Sequence, residues 1–297
     1  MTTATTPQAP PGEAAPAPRR PRKPVLLGTV LAYIALTALA VVYIYPFLIT
    51  VATSFKTDAE AASNAIGLIP QTWTTAAYER LFLNSDFPRW FQNSVIVTVF
   101  VTLGRVFFAS MAGYALARLQ FRGRGLIFAG VVAVMAVPSV VLLIPRFLVI
   151  NQLGIYDTYA ALIIPLLVDA TGIFIMKNFF ESIPPSVEEA ARIDGAGTFR
   201  VFWSIVLPMA IPAVITIIIL SFQGSWNELS HFIVASQDPD LFTLTKGVAQ
   251  LSSGALSQGS QYPLKLAAAA IMTIPVAILF FVFQRRIMST GEGAVKG

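Results

Sequence analysis

The chain is 297 residues long, 56% apolar and 12% charged, with a net charge of +5 and a mean hydropathy of +0.71. A soluble domain carries about 25% charged residues, so this composition excludes a water-soluble globule and indicates a protein of the lipid bilayer. Cysteine is absent and His231 is the single histidine, which excludes disulfides, thiolate chemistry and Cys-type or multi-His metal sites; no basic patch with interleaved aromatics suggests nucleic acid.

Residues 1–24 are rich in Ala, Pro and Thr and lack any hydrophobic period, so a disordered tail is expected there. It ends in Arg19, Arg20, Arg22 and Lys23, directly before an apolar run over 25–51. That run is roughly twice the 7–15 residues of a signal-peptide core, which makes it a retained span. A helix crossing the hydrocarbon core needs about 20 apolar residues. Runs of this kind recur near 93–117, 126–149, 159–179, 206–230 and 264–284. The expected fold is therefore all-α, a polytopic membrane protein of six transmembrane helices occupying 25–287, with a short tail at 288–297. Pro46, Pro138, Pro145, Pro165, Pro212 and Pro275 fall within these runs, and such bends are tolerated where neighbouring helices re-satisfy the backbone.

Basic residues fix the expected orientation. With the N-terminus inside, thirteen of the twenty Lys and Arg fall on inside segments, among them Arg118, Arg122, Arg124, Lys177, Arg192 and Arg200. Both termini are then expected in the cytoplasm, by the positive-inside rule. On the outside, 75–91 is expected to form an amphipathic interfacial helix with Trp90 at the membrane boundary. Residues 231–263 are polar and rich in Gly and Ser, and His231 is expected at the interface.

The segment between spans four and five, 181–208, carries the most information. Pro184 and Pro185 end the preceding helix, and Ser186 with Glu189 has the spacing of a capping box, so a helix is expected from Val187. Ala190 and Ala191 give it a small-residue face, and Asp194-Gly195-Ala196-Gly197 breaks it. A second segment, Thr198 to Leu207, leads into Pro208. The product is a helix–turn–helix outside the bilayer with a surface that another backbone can approach.

Glu189-Ala190-Ala191, then Gly195, then Ile205 and Leu207-Pro208 resembles the signature loop of binding-protein-dependent ABC import permeases. Asn93-Ser94, Gly113-Tyr114-Ala115-Leu116-Ala117-Arg118, Leu153-Gly154 and the C-terminal residues from Phe283 extend the resemblance toward the six-span subunit of maltose-type carbohydrate importers. The resemblance implies a coupling-helix loop that docks on a cytoplasmic ATPase, through Glu189, Ala190, Ala191 and Gly195 supported by Asp194, Leu207 and Pro208. It also implies a bacterial inner-membrane location and three partners: a second permease, an ATPase dimer and an extracytoplasmic solute-binding protein, all set in membrane lipid. No cofactor is expected of the chain itself, because ATP and magnesium would be bound by the ATPase; the sequence has no GxxxxGK[ST] loop of its own.

Two further sets stand out. Arg105 and Asp169 are charges inside expected spans, at similar depth, and intramembrane charges mark functional sites by default; an Arg105–Asp169 ion pair is expected, either structural or lining a solute path. Gln223, Trp226, Asn227 and Glu228 approach the outer leaflet in span five and are candidates for the pathway, or for interhelical hydrogen bonding with an interfacial Trp. Arg146 is expected to snorkel to the interface. The alternative class is an ion-coupled secondary transporter using Asp169 and Arg105, which would show repeats and interrupted helices; neither is evident in the sequence.

Overall fold

The structure, a computed structural model, describes residues 27–64, 66–253 and 261–293; the tail expected over 1–24 and the last four residues lie outside them. In chain order the α-helices are α1 Leu27–Ser54, α2 Asp58–Ser63, α3 Ala76–Leu83, α4 Phe87–Arg118, α5 Arg124–Met135, α6 Leu143–Gln152, α7 Tyr159–Ile163, α8 Ala170–Ser182, α9 Pro185–Ile193, α10 Thr198–Val201, α11 Leu207–Met209, α12 Ile211–Trp226, α13 Ser230–Ala235, α14 Leu244–Ser253 and α15 Tyr262–Gly293. No strand occurs among the described residues.

Four segments are long and apolar enough to cross a membrane: α1, α4, the stretch Tyr159–Ser182 and the part of α15 from Tyr262 to Gln284. Two further candidate crossings are helix pairs bent sharply at a break. Arg124–Met135 and Ser139–Gln152 meet at 102°, and Thr198–Met209 and Ile211–Trp226 meet at 76°. The count of six holds when each bent pair is one span. Interrupted helices, absent from the sequence reading, are therefore present. Pro138, which caps the short 3-10 turn Ser139–Leu142, and Pro212, in the first turn of α12, stand at the two breaks and cannot donate backbone hydrogen bonds there.

The body from Phe47 onward is organised around α4, which packs most extensively on α8 and α12. Close approach depends on Gly113, where a Cβ would lie 2.6 Å from the Met176 Cβ and 2.9 Å from the Lys177 backbone nitrogen. In lipid there is little hydrophobic drive between helices, so contact rests on small residues that let backbones meet. One apolar cluster gathers Tyr114, Phe180, Phe202 and Val206 at the Arg118 end of α4. Another gathers Leu81, Phe87, Trp226 and Leu244 at the Phe87 end. A third joins Val97 and Val101 to Ile150, Leu162 and Phe232.

Three local expectations are corrected. The segment 75–91 is not one helix: α3 ends at Leu83 and α4 begins at Phe87. Trp90 is buried, with Gly247 pressed against its indole, so its ring faces protein rather than lipid. His231 is fully buried, its Nε2 bonded to the Ala161 carbonyl at 3.1 Å, because the polar segment after Trp226 folds into α13 and α14 and packs back on the helices.

Candidate functional site: a tethered helical elbow and two polar cavities

The elbow begins with α9. Pro185 occupies its first turn and Pro184 is its N-cap, with no side-chain cap hydrogen bond. The capping box expected of Ser186 and Glu189 does not form, because the helix starts two residues early and Ser186 falls inside its first turn. At the other end the helix closes in a Schellman motif. The Ala196 N–H donates to Ala191 O at 2.9 Å and the Gly195 N–H to Arg192 O at 3.0 Å, with Gly195 at φ +84°. Only glycine takes that conformation without strain. The chain then turns through α10 and a π-helical stretch, Phe202–Val206, into α11.

The α9 helix has two faces. Glu189, Ala190, Asp194 and Gly195 are exposed, and Pro208 is exposed further on. Ile193, at 86% exposure, and Phe199, at 73%, project apolar side chains from the same turn. Ala191 faces inward and belongs to the apolar cluster, and Leu207 packs against that cluster. The expected Ala190–Ala191 face is therefore divided: one alanine is on the surface and the other is core.

The inward face carries a residue that the sequence reading missed. Glu188 is 5% exposed. Its carboxylate pairs with Arg118 Nε at 2.9 Å, accepts a hydrogen bond from the Tyr114 hydroxyl at 3.1 Å and lies 3.7 Å from Arg192. Arg118 is the last residue of α4, and it also donates to the Phe180 carbonyl at 2.6 Å and to the Ile183 carbonyl. One guanidinium thus ties together the end of α4, the end of α8 and the elbow. Its cationic fork sits at the C-terminal end of α8, an arrangement the helix dipole favours. The signal was present in the sequence: Glu188 and Arg192 have i,i+4 spacing, and Arg118 closes a span with several backbone carbonyls within reach.

Two cavities line one face of α12. The first, about 310 Å³, is bordered by Ser139, Arg146, Gln223, Asn227 and Glu228. It brings together three of the four pathway candidates. Trp226 is not among them. It is buried, stacked on Phe222 at 5.6 Å, with its indole N–H donating to the Met272 carbonyl. Arg146 borders this cavity. Asn227 Nδ2 donates to Gln223 O at 3.0 Å, and a Glu228 oxygen accepts the His231 N–H at 2.9 Å. The second cavity, about 250 Å³, is bordered by Arg105, Asp169, Thr171 and Ser221.

Arg105 and Asp169 share that cavity without forming the expected ion pair. Arg105 Nε donates to the Leu166 carbonyl at 2.7 Å, and Asp169 caps α8 through the Gly172 N–H at 2.9 Å. The fourth crossing is broken between Ile163 and Ala170, and the two charges serve the freed backbone groups at that break. Among the described residues no group of His, Asp and Glu is arranged to hold a metal.

Known proteins place this geometry. Residues 105–289 match the family described as "Binding-protein-dependent transport system inner membrane component". The inner membrane ABC transporter permease protein YcjP of Escherichia coli is 33% identical over 89% of this chain and 95% of its own length. The arabinooligosaccharides transport system permease protein AraQ of Halalkalibacterium halodurans is 32% identical over 94% of this chain and all of its own. The diacetylchitobiose uptake system permease protein NgcG of Streptomyces coelicolor is 33% identical over 86% of this chain and 85% of its own. A solved chain from a bacterial ABC transporter that imports the acidic polysaccharide alginate superposes with a TM-score of 0.76 at 27% identity, over 91% of this chain and 99% of that one. With the helical elbow, the broken spans and these likenesses in hand, the chain belongs to the family of binding-protein-dependent transport system inner membrane components, the non-catalytic multi-pass permeases of ABC importers.

Proposed function

We propose that this permease serves an importer of sugars or oligosaccharides, forms half of the translocation pathway, and receives the ATPase stroke through the elbow at 181–208. The observation that carries the coupling role is the two-faced α9: an exposed turn with Glu189, Ala190, Asp194 and Gly195, backed by a buried tether from Glu188 to Arg118. A docked ATPase that moves the exposed face must move the ends of α4 and α8 with it, because one guanidinium holds all three. Transmission requires the loop to interact differently with the two ATPase states, and a rigid elbow converts that difference into helix displacement.

The sugar class is supported by the relatives, whose names refer to arabinooligosaccharides, diacetylchitobiose and alginate. A second permease, an ATPase dimer that binds ATP and magnesium, and an external solute-binding protein complete the assembly. Both chain termini then lie on the ATPase side. The cavity of Gln223, Asn227 and Glu228 supplies polar groups to the pathway. Reconstitution of the four components in liposomes tests the reading. Uptake of sugar-loaded binding protein's cargo should require ATP and fail on an ion gradient alone; uptake driven by the gradient without ATP would reinstate the ion-coupled alternative.

A further inference from the structure

Arg105 and Asp169 present an energetic puzzle. Charges within a membrane-spanning segment are costly and ordinarily meet one another. Here each spends part of its hydrogen-bonding capacity on backbone: Arg105 Nε on Leu166, one Asp169 oxygen on Gly172. Neither Arg105 amino group and only one Asp169 oxygen has a protein partner among the described residues. Both side chains border the same cavity, with the Thr171 and Ser221 hydroxyls beside them.

The cavity is continuous in register with its neighbour. Ile217 and Ser221 border the second cavity and Gly224 and Glu228 the first. Ile217, Ser221 and Gly224 follow i, i+4, i+7, a single stripe along α12, and Glu228 lies just past the end of that helix. Gly224 is where the two meet: a Cβ there would lie 3.3 Å from an Arg105 amino nitrogen, so the missing side chain leaves the guanidinium against the α12 backbone at the boundary.

From this geometry we infer that Arg105, Asp169, Thr171 and Ser221 form a binding subsite for one ring of a neutral polyhydroxylated solute, reached along the α12 stripe. The inference rests on the pathway reading above and adds the residues and the ligand class. A guanidinium offers only donors and a carboxylate only acceptors. Adjacent sugar hydroxyls, each donor and acceptor, satisfy both at once. A uronate carboxylate would satisfy Arg105 and meet repulsion from Asp169, so the set selects against acidic sugars. A volume of about 250 Å³ lies below the roughly 300–1,000 Å³ of sites for drug-sized ligands, which limits the subsite to a single ring at a time.

The absence of cysteine from this chain makes the test clean. In the complete importer in lipid nanodiscs, Ser221→Cys or, as a second reporter, Thr171→Cys is reacted with a hydrophilic thiol reagent, and labelling of this chain is read by mass. D-glucose and maltose serve as neutral probes and D-glucuronate as the anionic one. At about ten times Kd, mass action slows labelling about tenfold, so the neutral probes should protect to that extent, glucuronate should not, and Arg105→Gln should abolish the protection. Gln223→Cys, in the neighbouring cavity, separates the two layers of the argument. Labelling at 223 with none at 221 or 171 overturns the subsite and leaves the pathway reading standing; no labelling at any of the three in either nucleotide state overturns both. Better protection by glucuronate, protection by no probe, or protection unchanged by Arg105→Gln also overturns the inference.

Discussion

Glu188 and Glu189 are neighbours in sequence and opposites in environment, because a helix turns each residue about 100° from the last. Neutralising the inward one leaves the Arg118 guanidinium buried without its counter-charge. Removing one partner of a buried pair costs about 3–5 kcal/mol, and the two carbonyls that Arg118 also serves put Glu188→Gln at the lower end, about 3 kcal/mol. Thermal unfolding of the purified assembly should fall accordingly. Glu189→Gln, on the exposed face, should shift stability by no more than about 0.5 kcal/mol while lowering solute-stimulated ATP hydrolysis. A variant pair with the opposite pattern would exchange the roles given to the two carboxylates. His231 supplies a pH test. The carbonyl of Ala161 only accepts, so Nε2 carries the proton, and Nδ1 is buried with no partner. Burial, aided by Arg146, holds the imidazole below its ordinary range. The unfolded chain then binds more protons than the native one, so stability rises with pH up to the ordinary value near 6.5 and falls on acidification. Comparing melting at about pH 5 and about pH 7.5, the drop should shrink in His231→Gln; an equal drop in both would dissociate His231 from the acid sensitivity. The sequence marked Glu189 through a motif, yet Glu188 carries the buried contact, because a motif does not report which face of the helix each carboxylate takes.

At the scale of elements, the expected break at Gly195 is where the chain turns, since the run Asp194-Gly195-Ala196-Gly197 has few other options. The start of α9 was misread for a physical reason. Ser186 and Glu189 have the right spacing for a capping box, but Pro185 is pre-set for the first helical position and claims it. Hydropathy located four crossings and two further apolar stretches, and could not see that those two are helix pairs bent by 102° and 76°, because a window average counts apolar length and not direction. Two glycines give element-level predictions. Gly195→Val forces a β-branched residue into φ +84°, where a non-glycine residue costs about 1–2 kcal/mol and would sooner let the turn rearrange. Membrane insertion should be normal and solute-stimulated ATP hydrolysis lost; retained stimulation would remove the turn from the docking surface. Gly113→Leu acts at the α4–α8 contact, where the nearest atoms are backbone or Cβ and cannot swing away. Overpacking of this kind costs about 1–3 kcal/mol or more, and the variant should show a lower melting temperature with no change in which face of the membrane the elbow occupies.

Across the whole molecule, the expected crossing of α4 follows from length alone. Its 32 residues rise about 48 Å at 1.5 Å each, more than the roughly 30 Å of hydrocarbon, so Asp86 and Arg118 must emerge at opposite faces of the membrane. The Arg118 end carries Arg122, Arg124 and, through the elbow, Arg192 and Arg200, which under the positive-inside rule assigns it to the cytoplasm. In living cells a membrane-impermeant thiol reagent should therefore modify Asn84→Cys, next to the Phe87 end of α4, and spare Asp194→Cys on the elbow until the cells are opened. Both positions are exposed and the parent chain has no thiol of its own, so each signal has a single source. Modification of the elbow position in intact cells would reverse the orientation and leave the exposed turn on the wrong side of the membrane for any ATPase, however well the fold agrees with its relatives.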